Sequence, residues 1–364
     1  MLQRLVLKGF KSIKEIDLEL RPLNILIGAN GAGKSNLISF FKMLNEMIAN
    51  RLQQYIGVSG RSQSLLYFGP KVTPQIEARL ELEFQGGIYT YDLRLFHAAG
   101  DTLIFAEEKL GFLGTSYSPP MTNLLGAGHL ETKIIDAAHQ GIQTAIPLKY
   151  LLYQCRVYHF HDTSATAGVR QSCYIGDNRL LVSDGGNLAA LLFRFRKENT
   201  LVYNRIVQTI RLIAPFFDDF ELEPDISNNV ILNWREKGSD RIFGPHQFSD
   251  GTLRAICLTT LLLQPEADLP KMIIVDEPEL GLHPYALNVV AAMFGKASYH
   301  TQILISTQSS FFLDNFNPED VITVNREDKE SQFKRLNSQE LETWLEEYSL
   351  GEIWEKNIIG GGPH

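Results

Sequence analysis

The 364-residue sequence predicts an α/β fold: a buried sheet with parallel strands, an antiparallel β layer beside it, and a short helical lobe. Three observations predict it. Residues 249–324 alternate short apolar runs with segments of helical spacing, the pattern of a parallel sheet joined by crossover helices. Residues 75–84 (QIEARLELEF) and 88–96 (IYTYDLRLF) alternate apolar and polar side chains on either side of Gln85-Gly86-Gly87, which is a hairpin signal. From 184 to about 220 that alternation gives way to helical spacing over roughly two helices.

The elements follow in order. Residues 2–8 and 16–20 alternate and read as half-exposed strands, and 23–27 (LNILI) as a buried strand ending at Gly28. Residues 36–48 have helical spacing. Strand-like pieces continue to about 115, residues 116–148 are loop-rich, and 156–160 is a strand candidate. A β pair is expected at 220–234, helices at 252–263, 284–295 and 309–316, and buried strands at 271–275 and 301–306. Residues 320–324 read as an edge strand, and the tail, 338–359, as helical before a closing glycine run.

Composition excludes several classes. With 44% apolar and 21% charged residues the chain is globular rather than disordered. A net charge of −8 gives no general support for binding a phosphate backbone. Cys155, Cys173 and Cys257 are odd in number and lack metal or disulfide spacing, which fits a reducing cytoplasm. The opening MLQRLVLKGFKSIKE is broken by charges and does not read as a signal peptide, and no apolar stretch approaches the ~20 residues of a membrane span.

The strand at 23–27 runs into Gly28-Ala29-Asn30-Gly31-Ala32-Gly33-Lys34-Ser35, a complete G-x4-G-K-S phosphate loop, and then into a helix. Glycines let backbone N–H groups close on phosphate oxygens, Lys34 reaches the β- and γ-phosphates, and Ser35 offers a hydroxyl to Mg²⁺. The helix adds its positive end. Gly28, Asn30, Gly31, Ala32, Gly33, Lys34, Ser35 and Asn36 are therefore the predicted contacts to ATP. A glycine-rich turn that binds nothing is the bland alternative, and the full match with correct flanks opposes it. Met272-Ile273-Ile274-Val275 ends in Asp276-Glu277, an acidic strand end where Asp276 can hold Mg²⁺ and Glu277 can orient or deprotonate water.

Five motifs in order carry a resemblance: GFKSIKE at 9–15, GANGAGKSNL at 28–37, FSDGTLR at 248–254, VDEPELGLHP at 275–284 and STQSS at 306–310. Together they resemble the ABC ATPase heads of the RecF, SMC and Rad50 type, in particular the stand-alone ATPases of the AAA_21-type group. The resemblance implies an ABC-type P-loop NTPase with a RecA-like mixed sheet core, an antiparallel β subdomain and a short helical lobe. Within one head at 1–364 it implies a first lobe at 1–160, a helical lobe at 161–248, the signature-to-switch region at 249–335 and a tail at 336–364. It implies that Ser249, Asp250 and Gly251 form a signature that reads the γ-phosphate held by a second subunit, with capping of a helix as the bland reading. It makes residues 279–284 a D-loop, in which His283 has a plain surface alternative. It places Gln308 where the family often has a switch histidine, so a hydrogen bond remains available but proton uptake does not. Lys11 and Ser12 resemble positions that approach the nucleotide, with surface charge as the alternative.

The resemblance places a magnesium-contacting glutamine near 158–163 (YHFHDT), which contains none. His159 and His161 there could pair on a metal, but plain structure is the commoner role of such a pair. Residues 164–248 are too few for the long coiled coil of SMC and Rad50 chains, and too few residues follow the last expected strand for a nuclease domain. Arg194, Arg196, Lys197, Arg205 and Arg211 make a basic streak that could touch nucleic acid, or simply a solvated helix face. The leading expectation is an ATPase switch that forms a homodimer on ATP binding and signals to DNA or to a separate effector protein, in DNA repair or anti-phage defence. The alternatives are a non-hydrolysing ATP-binding scaffold and a transporter ATPase subunit. The Asp250 signature and the missing glutamine speak against the transporter.

Overall fold

A computed structural model describes residues 1–114 and 120–362. Its centre is a six-stranded sheet in the order Glu330–Arg335, Val321–Glu327, Leu23–Ile27, Gln302–Thr307, Met272–Asp276, Cys155–Tyr158. Five of these strands are parallel, and Glu330–Arg335 runs antiparallel at one edge. All five residues of Leu23–Ile27 are buried, as expected for a strand covered on both faces.

The two faces feed two cores. Ile25, Ile27, Ile273, Val275, Ile303 and Ile305 pack on one side with the helices Leu188–Glu198, Thr200–Ile213, Asp250–Leu263 and Pro284–Ala297. Leu26, Ile274, Leu304, Ile322 and Val324 pack on the other with Leu37, Phe40, Phe41, Met43 and Leu44 of the Lys34–Ile48 helix. Beyond that helix lies an all-antiparallel six-stranded sheet. In its Gln75–Phe84 strand Ile76, Ala78, Leu80 and Leu82 face inward, the period of two read from the sequence. That strand joins Gly87–Ala98 through Gln85 and Gly86, both at positive φ (44° and 81°), as a tight hairpin turn requires.

Among the described residues the longest helix, Lys34–Ile48, has 15 residues, and none is long and apolar enough to cross a membrane.

Several local expectations change. The strand expected at the edge, 320–324, is interior: Val321–Glu327 pairs with Leu23–Ile27 on one side and Glu330–Arg335 on the other. The true edge strand escaped notice because ESQFKR has no apolar run and follows a charged turn through Asp328 and Lys329, both at positive φ. The helix expected at 309–316 shortens to Ser310–Leu313. The loop-rich stretch holds the strand Met121–Gly126 and the helices Ile134–His139 and Ala145–Tyr153; residues 116–119 of it, and Pro363, lie outside the described residues.

Candidate functional site

Three neighbouring parallel strands deliver the motifs to one edge of the sheet. Leu23–Ile27 ends at Gly28, Gln302–Thr307 at Gln308, and Met272–Asp276 at Glu277. Asp276 is in register with Ser306, and Thr307 with Ile27, so the three loops open side by side. The crevice beyond the carboxyl ends of such strands is where open α/β sheets bind ligands.

The phosphate loop needs its glycines for stated reasons. Gly31 and Gly33 have φ of 77° and 119°. A Cβ on Gly28 would collide with the Val324 carbonyl, and one on Gly33 with the Ser331 hydroxyl. Lys34 is buried and folds back to donate from Nζ to the carbonyls of Gly28 and Ala29, the latter at 3.1 Å. Burial lowers its pKa, against the upward pull of Glu277, Asp276 and Glu279. Ser35 is exposed at the helix start.

Asp276 accepts a hydrogen bond from the Ser306 hydroxyl, and its carbonyl accepts one from His161 Nε2 at 2.9 Å. Glu277 sits at φ 43°, a conformation that costs a non-glycine residue about 1–3 kcal/mol and is found at functional sites. Its carboxylate accepts from Gln308 Nε2. Glu279 accepts from Thr307 Oγ1 (2.6 Å) and the Gln308 backbone N–H (2.9 Å), and burial raises its pKa. Gln308 is therefore held at both ends by acids of the neighbouring loop.

Lys11 and Ser12 lie beside this loop. Ser12 Oγ accepts from Asn36 Nδ2 at 2.6 Å and is 2.6 Å from Ser331 Oγ. Lys11 Nζ donates to Ser39 at 2.6 Å, and burial with nearby Lys42 lowers its pKa. Lys11, Ser12 and Asn36 line a cleft of about 530 Å³ with Phe68, Arg326 and Lys329. A second cavity, about 820 Å³, lies between Ala29–Ala32 of the loop, Gln308 and the glycine run Gly360, Gly361 and Gly362.

The signature residues stand apart. Ser249 caps the Asp250–Leu263 helix, its Oγ accepting from Thr252 N at 3.1 Å. Gly251 packs so tightly on Gly281 that a Cβ would collide with the Gly281 carbonyl. Asp250 is exposed yet paired with Arg170 at 2.8 Å. Among the described residues no hydrogen bond joins Ser249, Asp250 or Gly251 to Gly28–Ser35 of the same chain.

Sequence reasoning missed four contributors. Buried Arg170 donates to the carbonyls of Thr163, Pro245 and Phe248 as well as to Asp250, fixing the signature loop. Ser331 donates to the Ala32 carbonyl at 2.6 Å, and Arg326 to the Gly31 carbonyl at 3.2 Å. Arg254, within FSDGTLR, donates to the carbonyls of Phe160, His161 and Leu280. His283 caps the Pro284–Ala297 helix, accepting from Tyr285 N. His159, half-buried with Lys42 and His161 near it, is pushed down to about 4. The basic streak is largely committed within the chain: Arg194 pairs with Asp268, Arg211 with Asp218, and Arg196 and Arg205 bind the carbonyls of Phe220 and Leu263.

Comparison with known proteins bears on the fold. Residues 175–314 match a family model described as "AAA domain, putative AbiEii toxin, Type IV TA system", and residues 4–96 match one described as "AAA domain". No curated protein matches the chain. A crystal structure of an SMC head bound to the C-terminal winged-helix domain of ScpA is similar with a TM-score of 0.60 and 16% identity, covering 93% of this chain and 99% of that one. An SMC head with an extended coiled coil, bound to the C-terminal domain of ScpA and derived from Pyrococcus furiosus, is similar with a TM-score of 0.59 and 14% identity, covering 95% and 98%.

Proposed function

We propose that this chain is an ABC ATPase head of the SMC, RecF and Rad50-like type and acts as an ATP-hydrolysing switch that closes as a homodimer around two ATP–Mg²⁺, a reading supported by the matched ATPase-domain models and the fold shared with SMC heads. The observation that carries the reading is the division of the motifs. Lys34, Asp276, Glu277 and Gln308 converge at the ends of adjacent strands, while among the described residues no hydrogen bond joins Ser249 or Gly251 to Gly28–Ser35. A signature without a hydrogen bond to its own phosphate loop is suited to serve a second copy's.

The residues present fit the substrate and the metal. The loop is a cradle that Cβ atoms at Gly28 and Gly33 would fill. Ser35 and Asp276 offer a hydroxyl and a carboxylate, the hard oxygen donors that Mg²⁺ takes alongside waters. Mg²⁺ so held neutralises charge on the phosphate oxygens. Lys34 exchanges the Gly28 and Ala29 carbonyls for phosphate oxygens. Glu277 orients and deprotonates the attacking water, and Gln308 fixes the carboxylate that does so. Ser249 of one subunit donates to the γ-phosphate held by the other, with the helix end adding its dipole.

Hydrolysis reopens the pair, and a partner reads the motion. The SMC heads similar in fold are bound to domains of ScpA, which supports a separate protein effector. The matched family model, described as a putative toxin of a Type IV TA system, favours a defence role over repair. Nucleic acid is the less favoured output, because the basic streak is mostly paired internally. Phosphate release by wild type and Lys34→Ala tests the reading. Turnover lost in the variant supports it, and none in either protein favours the non-hydrolysing scaffold.

A further inference from the structure

Arg254 stands one turn into the signature helix and is half-buried. Its guanidinium donates from Nε to the Phe160 carbonyl at 3.1 Å, from Nη2 to the His161 carbonyl at 2.9 Å and from Nη1 to the Leu280 carbonyl at 3.0 Å. One side chain thus joins three segments distant in sequence: the signature helix, the segment at 160–161 and the D-loop.

Each attachment leads toward the catalytic edge. His161 donates from Nε2 to the Asp276 carbonyl, at the end of the acidic strand. Leu280 adjoins Gly281, on which Gly251 is packed with no room for a side chain. The same loop carries Glu279, which holds Thr307 and Gln308. The signature helix cannot shift without drawing on these carbonyls, because only a planar fork donates in three fixed directions at once. A lysine keeps the charge but not the geometry.

We propose that Arg254 is a positioning residue that couples the two ATP sites of the dimer. When Ser249 engages the partner subunit's nucleotide, the displacement of its helix passes through Arg254 to the 160–161 segment and the D-loop. Asp276, Glu277 and Gln308 of the same subunit are thereby set for their own nucleotide. This rests on the dimer reading above, and it makes hydrolysis cooperative through a contiguous set of hydrogen bonds.

The test measures steady-state hydrolysis against ATP concentration for wild type, Arg254→Ala and Arg254→Lys. Mass by light scattering, thermal melting and binding of N-methylanthraniloyl-ATP by the monomer accompany it. Wild type is expected to show a Hill coefficient approaching about 2, the ceiling for two sites. Both variants are expected to fall to about 1 with kcat down about tenfold, a coupling-sized effect. Their nucleotide affinity should stay within about twofold and their melting within about 2 °C of wild type. Cooperativity kept in both variants overturns the coupling while leaving the dimer intact. Loss of affinity and melting temperature alongside cooperativity in both variants overturns it too, since Arg254 would then be merely structural. A wild type that stays monomeric and non-cooperative overturns the dimer reading, and the coupling with it.

Discussion

Gln308 donates its side-chain amide to the Glu277 carboxylate across two adjacent parallel strands, while its backbone N–H is held by Glu279. At this position, where the resemblance to RecF, SMC and Rad50-type heads leads one to expect a titratable histidine, this chain has an amide that cannot change charge. Its contribution is therefore orientation: it fixes a strained glutamate at φ 43° in one pose. Gln308→Ala should lower kcat by about tenfold, with affinity for ATP nearly unchanged, because an orienting contact acts mainly in the transition state. Steady-state kinetics with a binding titration checks this, and a rise in KM with kcat intact would contradict it.

Gly251→Ala should separate binding from assembly. Its methyl group meets the Gly281 carbonyl, so the signature helix and the D-loop must part. The monomer should still bind nucleotide at Gly28–Ser35, while ATP-dependent association is lost. Sedimentation with ATP–Mg²⁺ reads the association, and a variant that assembles like wild type would show that the packing tolerates the strain.

Arg170 bears on stability before function. Its buried guanidinium serves three carbonyls and Asp250. Truncation leaves buried acceptors without partners, each of which costs about 1–3 kcal/mol. Arg170→Ala should lower the melting temperature by about 5 °C or more. Asp250→Asn, at an exposed site, should cost far less.

His159 gives a pH dependence with a definite sign. Burial, with Lys42 and His161 nearby, holds it down from 6.5 to about 4. As pH falls through that window the unfolded chain gains a proton that the folded chain refuses, so stability is lost toward the acid side. The slope from this one group is at most about 1.4 kcal/mol per pH unit. The melting temperature of His159→Gln should fall less steeply than that of wild type between pH 6.5 and 4, and parallel curves would contradict the assignment.

What the sequence displayed was what contiguous residues can encode. Gly28–Ser35 and Asp276-Glu277 were legible because a phosphate loop and an acidic strand end each need particular side chains within a few positions. The alternation in 75–84 and 88–96 was legible because one face of each strand is buried. Ser331 and Arg326 were not legible. Their partners at Ala32 and Gly31 lie some three hundred residues away, and Ser331 sits on a polar edge strand that carries no apolar signal. Arg170 was hidden for a similar reason: its acceptors are mostly backbone carbonyls, which no side-chain pattern reveals. Arg254 was in plain view within the signature, but its role appears only when residues 160–161 and 280 come together.

The central claim is that the site is completed by a second copy, and Glu277→Gln tests it most directly. Without the base, hydrolysis should fall by roughly 10²–10⁴-fold, so the closed state accumulates. Light scattering of this variant with saturating ATP–Mg²⁺ should show a doubled mass. The same protein without nucleotide, or carrying Ser249→Arg in addition, should keep the monomer's mass. A Glu277→Gln protein that binds ATP and remains monomeric would contradict the account.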